Sequence, residues 1–516
     1  MKIANLDIDF AELPGAVKAW HAVVDVAAWR ALSTEVASGG GRLVALWGSD
    51  GSAIDTSRFC VHCALVFQPG LLLITLPVED SQFPDVSEIF PAANRMQRAV
   101  FDLLGLKATA GDARKWLRHS AWSADVFPLR KDFPLDMCPA SAEPIADDYA
   151  FVTVGGDGVH EIPVGPVHAG TIESGHFRFS VMGERVLRLE ERLGYKHKGV
   201  EKHFEKLRIS EGAKLAGRIS CDSTVAYAWA YAMAVESACE VAAPPRAASL
   251  RALWLELERI ANHLGDLGFL GNDAGLAFGL THFARLKEDL LRMNQALFGH
   301  RYLMDLIVPG GVTRDVQAPG ADLIRARCDA IEAELAKLHA VYDEHPGLQD
   351  RFINCGRVEP ELAAKLGLVG AAGRASAQAW DLRVQYPYAP YESLDVRMAT
   401  HRNGDVAARV IVRFEEIVES LRLVRLLLEL MPSGETRLTP RTPPAGAIGC
   451  GWVEGWRGEV FMFIEAAPDG GIARLHPHDP SWQNWPVLEH AALGNIVPDF
   501  PLINKSFNLS YSGHDL

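Results

Sequence analysis

The stretch PVHAGTIESGHF sets His168, Glu173 and His176 close together on one predicted hairpin. A carboxylate between two imidazoles in a buried turn is a unit that passes protons. Burial lifts a carboxyl pKa toward the range in which histidine already titrates. The plainer alternative is that the three side chains hydrogen-bond their own loop. A second candidate is Cys60-x-x-Cys63 in RFCVHCALVF. Its surroundings alternate like a half-buried strand, and no second pair completes a zinc site. A third is the row Glu256, Glu258, Arg259, Asn262, His263 and Asp266 in LRALWLELERIANHLGDLG, beside an apolar stripe through Leu250, Leu253, Trp254, Leu257, Ile260, Ala261 and Leu264. The stripe is core; each polar residue taken alone reads as solvated helix face.

The elements that must position these groups belong to a chain of 516 residues, long for one hydrophobic core, so two or more domains are expected. A net charge of −14 argues against nucleic acid as a partner, because phosphate neutralisation needs a basic face. Its eight cysteines are too scattered for a disulfide scaffold and fit reducing surroundings. The start, MKIANLDIDFAEL, carries no secretory h-region, and no apolar run reaches the ~20 residues that span a bilayer.

Residues 1–140 mix short strands (RLVALWGSDG, RFCVHCALVF, LLLITLPV) with a helix over 87–106, then the proline-rich extended run HSAWSADVFPLRKDFP. CPASAEPIADD marks the boundary. Residues 150–516 open with glycine-punctuated strands and switch to helical period in several long amphipathic segments, which predicts a helical bundle. A hairpin is expected over GWVEGWRGEVFMFIEAAPDGGIARLHPHD. The fold class is α+β: an N-terminal α/β adaptor domain, then a larger, mainly helical domain with a hairpin-rich entry and a C-terminal β segment. Phe507, Leu509 and Tyr511 alternate near the end and predict a tucked-in tail.

QRAVFDLLGL, VFPLRKDF, IPVGPVHAGTIESGHFRFSVMGE, RLGYKHKGVEKHFEKL, LWLELERIANHLGDLG, GDVAARVIVRFEEI, EGWRGE and DFPLINKSFNLSYSGHDL carry a resemblance that covers nearly the whole chain. The sequence resembles the large subunit of membrane-bound, energy-converting nickel–iron hydrogenases of the formate-hydrogenlyase type. Equally, it is similar to a fusion of the small adaptor and quinone-pocket subunits of respiratory complex I. In the hydrogenases, two C-x-x-C pairs hold the nickel–iron centre, a soft centre that needs thiolates. The resemblance places those four thiols on Ser220, Ser223, Ser510 and Gly513. Hydroxyls that stay protonated and a bare glycine are poor ligands for such a metal, so no nickel–iron centre and no hydrogen evolution are expected.

For quinone, the resemblance implies a second histidine and a tyrosine at the headgroup; these positions hold Ile172 and Cys221, which leaves quinone binding in question. His168 is kept, Glu173 takes the place of a proton-passing glutamate, and Arg457 and Glu459 of WRGE fall close to the metal pocket. A solvent-exposed turn is the alternative for WRGE. Arg218, Asp222 and Ser223 are expected to fill the lost metal's volume as a polar network, with Cys221 and Arg218 as weak cofactor-binding candidates. The resemblance implies a subunit of a complex I-like oxidoreductase, without a cofactor of its own, that couples electron transfer to ion translocation. Its partners would be a separate iron–sulfur subunit and antiporter-like membrane-arm subunits. It would sit peripherally on the cytoplasmic face of the inner membrane. Two further readings stand: a redox-inactive coupling scaffold, and a small-molecule site lined by His168, Glu173, Cys221 and Arg457.

Overall fold

The computed structural model describes residues 8–54, 59–118, 122–137 and 149–516. The expected boundary segment CPASAEPIADD, 138–148, lies outside the described residues. The first part is a five-stranded sheet of β1 (Ala11–Leu13), β2 (Ala19–Val23), β3 (Arg42–Asp50), β4 (Phe59–Phe67) and β5 (Gly70–Val78), in the order β1-β2-β5-β4-β3. Only the β2–β5 pair is parallel. Helix α1 (Val26–Ser38) crosses between β2 and β3, capped by the Asp25 carboxylate on the Ala28 N–H. Cys60 and Cys63 lie in β4 as predicted, but the strand is buried on both faces rather than half-buried, because β4 is flanked by β3 and β5 and covered on each side.

Helix α2 (Ala93–Leu104) starts six residues later than the periodicity suggests. Pro91 sits where the expected helix would need continuous backbone bonding, and the helix begins only past it. Short β6 (Gln82–Pro84) and β7 (Lys107–Thr109) pair in parallel around it.

The second part opens on an antiparallel sheet of β8 (Val159–Val164), β9 (His176–Met182) and β10 (Arg185–Arg192). Small α3 (Val200–Phe204) and α4 (Ala213–Ala216) lead into α5 (Thr224–Ala238), α6 (Pro245–Asp273) and α7 (Ala277–Phe298). A two-residue ladder, β11 (Ile307–Val308) with β12 (Gly311–Val312), precedes α8 (Ala318–Glu344). Short α9 (Pro346–Phe352), α10 (Pro360–Leu366), α11 (Gly370–Ala375) and α12 (Leu382–Gln385) follow, then the long α13 (Val406–Glu429).

The predicted C-terminal hairpin is a three-stranded antiparallel sheet, β13 (Ile448–Glu454), β14 (Glu459–Ala466) and β15 (Ile472–His478). It packs on α5 along small residues: a Cβ on Gly451 would lie 1.9 Å from the Ala230 carbonyl oxygen. The chain ends in α14 (Ser481–Ala491), α15 (Phe500–Phe507) and α16 (Tyr511–Asp515). Phe507, Leu509 and Tyr511 are buried as expected, although through helical turns rather than a strand, with Asn508 left-handed between α15 and α16.

Helices α5, α6 and α13 form the centre. All fifteen residues of α5 are buried. Glu256, Glu258, Arg259, His263 and Asp266 of α6 are buried and Asn262 is half-buried, so the solvated-face reading of those five does not hold. Their partners include Arg383 of α12, Arg413 and Glu416 of α13, the Glu454 carbonyl of β13 and the N–H groups that open α5.

The two parts share an interface. Arg42 of β3 makes a fork of two 2.5 Å bonds to the Glu459 carboxylate of β14. Arg474 Nε donates to the Gly48 carbonyl at 2.9 Å, and Trp47 stacks between His62 and His476. No described helix is long and apolar enough to cross a membrane.

Candidate functional site

Ser220 and Ser223 flank the entry to α5, and the C-terminal turn brings Ser510 and Gly513 against them. Ser220 Oγ lies 2.8 Å from Ser510 Oγ across 290 residues of sequence. Ser220 Oγ donates to Asp222 Oδ1 at 2.8 Å, and Ser510 Oγ caps α16 by accepting from the Gly513 N–H at 2.8 Å. Residues far apart in the chain, aligned from the sequence as a foursome, do share one place.

Arg457 occupies the middle of that place. Its guanidinium forms an ion pair with both oxygens of Asp222, donates to Ser223 Oγ at 3.1 Å and to the Asn508 carbonyl at 2.5 Å, and lies over the Trp456 ring. Burial raises the Asp222 carboxyl, but Arg457 and the Ser220 hydroxyl outweigh it and hold its pKa below the ordinary value. Arg457 and Glu459 are both buried, so WRGE is not a solvent-exposed turn. A few ångströms further on, Tyr227 donates to Asp479 Oδ2 at 2.6 Å. A Cβ on Gly513 would meet that same oxygen at 2.5 Å and the Tyr227 hydroxyl at 2.8 Å.

The expected network of Arg218, Asp222 and Ser223 is corrected at one member. Arg218 turns outward and forks onto Asp305 at 2.6 and 2.8 Å, because Leu303 and Asp305 adopt a left-handed turn that presents the carboxylate there. Arg457 takes its role. Cys221 faces outward as an exposed thiol whose pKa is raised, first by burial of its sulfur and then by Asp222.

His168 and Glu173 sit on the loop between β8 and β9, half-buried rather than in a buried turn. They close over the C-terminal turn: Glu173 Oε2 accepts from the Ser512 N–H at 3.0 Å, and His168 Nε2 lies 3.4 Å from the Tyr511 hydroxyl. His176 is separated from them on β9, its Nδ1 3.4 Å from the Gly165 carbonyl and its ring beside Phe151. Of the three, His168 and Glu173 both touch the C-terminal turn, and His176 lies on β9 behind them.

Sequence reasoning placed Glu258 on α6 but missed its surroundings. Its carboxylate accepts from the Val225 and Ala226 N–H groups at the start of α5, at 2.7 and 3.3 Å. Burial pushes its pKa up to about 8, with those N–H bonds opposing the shift. Also missed was an ion lattice deeper in. Glu416 pairs with Arg374 at 2.7 Å and His263 at 2.7 Å, Arg374 reaches Glu454 at 2.9 Å, and Arg383 bonds Glu256 at 3.0 Å and Asp381 at 2.7 Å.

An α/β sheet unit docked on a helical core, whose helix entry and C-terminal turn meet at one polar centre, defines a fused two-part subunit of complex I-related assemblies. Residues 22–138 match the 30 kDa subunit family of the respiratory-chain NADH dehydrogenase, and residues 273–444 match its 49 kDa subunit family. Formate hydrogenlyase subunit 5 of Escherichia coli (strain K12) is 30% identical over 485 residues, 92% of this chain and 85% of that protein. NADH-quinone oxidoreductase subunit 4 of Thermus thermophilus is 28% identical over 407 residues, 73% of this chain and 97% of that protein. A chain from the membrane-bound sulfane sulfur reductase, an archaeal respiratory membrane complex, superposes with a TM-score of 0.65 at 26% identity. The match covers 69% of this chain and 98% of that one. This chain belongs to the family of complex I and energy-converting hydrogenase subunits that these relatives represent.

Proposed function

We propose that this chain is the coupling subunit of a membrane-associated, complex I-like assembly and holds no nickel–iron centre itself. The observation that carries the reading is the centre at Ser220, Ser223, Ser510 and Gly513. Its donors are hydroxyls bonded to one another and to Asp222, an arginine side chain stands among them, and a side chain at position 513 would have to displace the Asp479 carboxylate and the Tyr227 hydroxyl. A thiophilic centre needs deprotonated sulfur, and the residues present do not fit one. Electrons would then pass through an iron–sulfur partner subunit, and motion of the loops around α5 and the C-terminal turn would reach an ion-translocating membrane arm. The assembly would place this chain on the cytoplasmic face of the inner membrane, held there by its partners.

A second reading, a redox-inactive scaffold, draws on one observation. The cavity lined by Cys221, Asp222, Glu258 and Asn262 measures only about 10 Å³, which is about the room of one water and too small for a quinone headgroup. Purification of the intact complex from membranes, with metal analysis and quinone-linked electron transfer, tests both readings. Iron without nickel, together with electron transfer, supports the coupling subunit. Membrane partners without iron or electron transfer favour the scaffold. One equivalent of nickel per chain overturns both.

A further inference from the structure

The chain carries a formal charge of −14, yet Lys131, Lys202, Lys206 and Arg208 converge on one surface cleft of about 610 Å³ where the two parts meet. The carboxylates there do not use up this charge. Lys131 and Lys202 share Glu205 at 2.7 and 3.1 Å, and the buried Glu465 also acts on Lys131, so the charge left for a ligand is that of Lys206 and Arg208. Lys206 bonds Asp136 at 2.7 Å, but the Asp136 side chain is 93% exposed, and such a pair is screened and weak. Asp469 turns its Oδ1 to the Gly471 N–H of its own loop at 2.9 Å. The Arg208 guanidinium has no ion pair among the described residues; the Glu211 carboxylate accepts from its backbone N–H instead.

The cleft is also shaped. Arg208 is pinned through its backbone, which bridges Gly471, while the Ile209 N–H donates to the Gly470 carbonyl at 3.3 Å. Phe133, Leu135 and Leu207 also line the cleft, and Leu135 is exposed. A guanidinium fork flanked by ammonium groups matches the oxygens of a phosphate. An adjoining apolar wall suits an organic body attached to it, and the volume lies within the range of small-molecule sites.

We propose that this cleft binds the phosphate group of an organic ligand, with Arg208 and Lys206 at the phosphate and the Phe133–Leu135 wall against the body. The chemistry is shared by a soluble phosphate ester and an anionic lipid headgroup. Two arms separate them: calorimetric titration of the full chain with inorganic pyrophosphate, and flotation with phosphatidylcholine vesicles with and without phosphatidylglycerol. Pyrophosphate should bind, and the K206E/R208E variant should weaken it by about tenfold or more as two fork donors are lost. Flotation with phosphatidylglycerol vesicles alone, abolished in the variant, assigns the lipid source; pyrophosphate binding without flotation assigns the soluble one. Both side chains are on the surface, and the neutral K206Q/R208Q pair repeats the test should charge reversal disturb folding. Neither heat nor flotation, or equal binding by wild type and a folded variant, overturns the proposal.

Discussion

Glu256 and Glu258 stand two residues apart on α6, both buried, and are held in opposite charge states. Glu256 faces the ion lattice. Burial alone would raise its carboxyl, but Arg383, Arg259, Ser420 and Tyr391 outweigh that, and its pKa falls below the ordinary value. Glu258 faces the start of α5 with two backbone N–H groups and, among the described residues, no ion pair; the pull of Arg259 is weaker than burial, which pushes its pKa up to about 8. Depth does not set the charge of a buried acid. The supply of donors that other elements deliver to it does.

Removing a cation from the lattice should break the contrast most visibly. Arg383→Ala takes from buried Glu256 and Asp381 their nearest cation, leaving only the longer pairs to Arg259 and Arg374, and the expected loss is about 3–5 kcal/mol. Urea denaturation of the full chain reads it; a loss under about 1 kcal/mol would mean the lattice relaxes and the two glutamates do not differ in kind.

The serine centre offers a gentler disturbance. Gly513→Cys, which puts a thiol back at one aligned position, forces a Cβ against Asp479 and Tyr227, and overpacking of this kind costs about 1–3 kcal/mol. The same denaturation measurement checks it, and a neutral result would show that the C-terminal turn yields. Ser510→Ala removes the cap of α16 and the bond to Ser220; about 1 kcal/mol is expected.

Glu258→Gln sharpens the comparison through pH. The folded pKa near 8 lies above the unfolded value, so between about pH 4.5 and 8 the native state holds a proton that the unfolded chain has released. Stability from this group therefore falls as pH rises through that window. Glutamine imitates the protonated form, so variant and wild type should nearly coincide at pH 5 and the variant should be the more stable above pH 8. Parallel stability curves across that range would return Glu258 to the ordinary carboxylates.

Much of the architecture was legible in the sequence, because long periodic segments such as α6 and α13 and the alternation through Cys60 and Cys63 depend on local spacing. The coincidence of Ser220, Ser223, Ser510 and Gly513 was legible only through resemblance, since nothing local joins residues 220 and 510. Periodicity misread the charges of α6. It assigns charge to solvent, whereas Arg374, Arg383, Glu416 and Glu454 arrive from segments more than a hundred residues away. One signal was present: Arg409, Arg413, Glu416 and Ser420 recur at three- and four-residue spacing on α13, a polar stripe complementary to that of α6. Arg218 was misassigned for the same reason, its partner Asp305 lying beyond the three helices α5, α6 and α7.

The tight turn joining β13 to β14 carries Arg457 and Glu459 two positions apart, and they reach in different directions. One grips Asp222 at the mouth of α5; the other grips Arg42 in the first sheet. That turn is therefore a rivet between the helix mouth and the first sheet, fastened to each by an arginine–carboxylate pair.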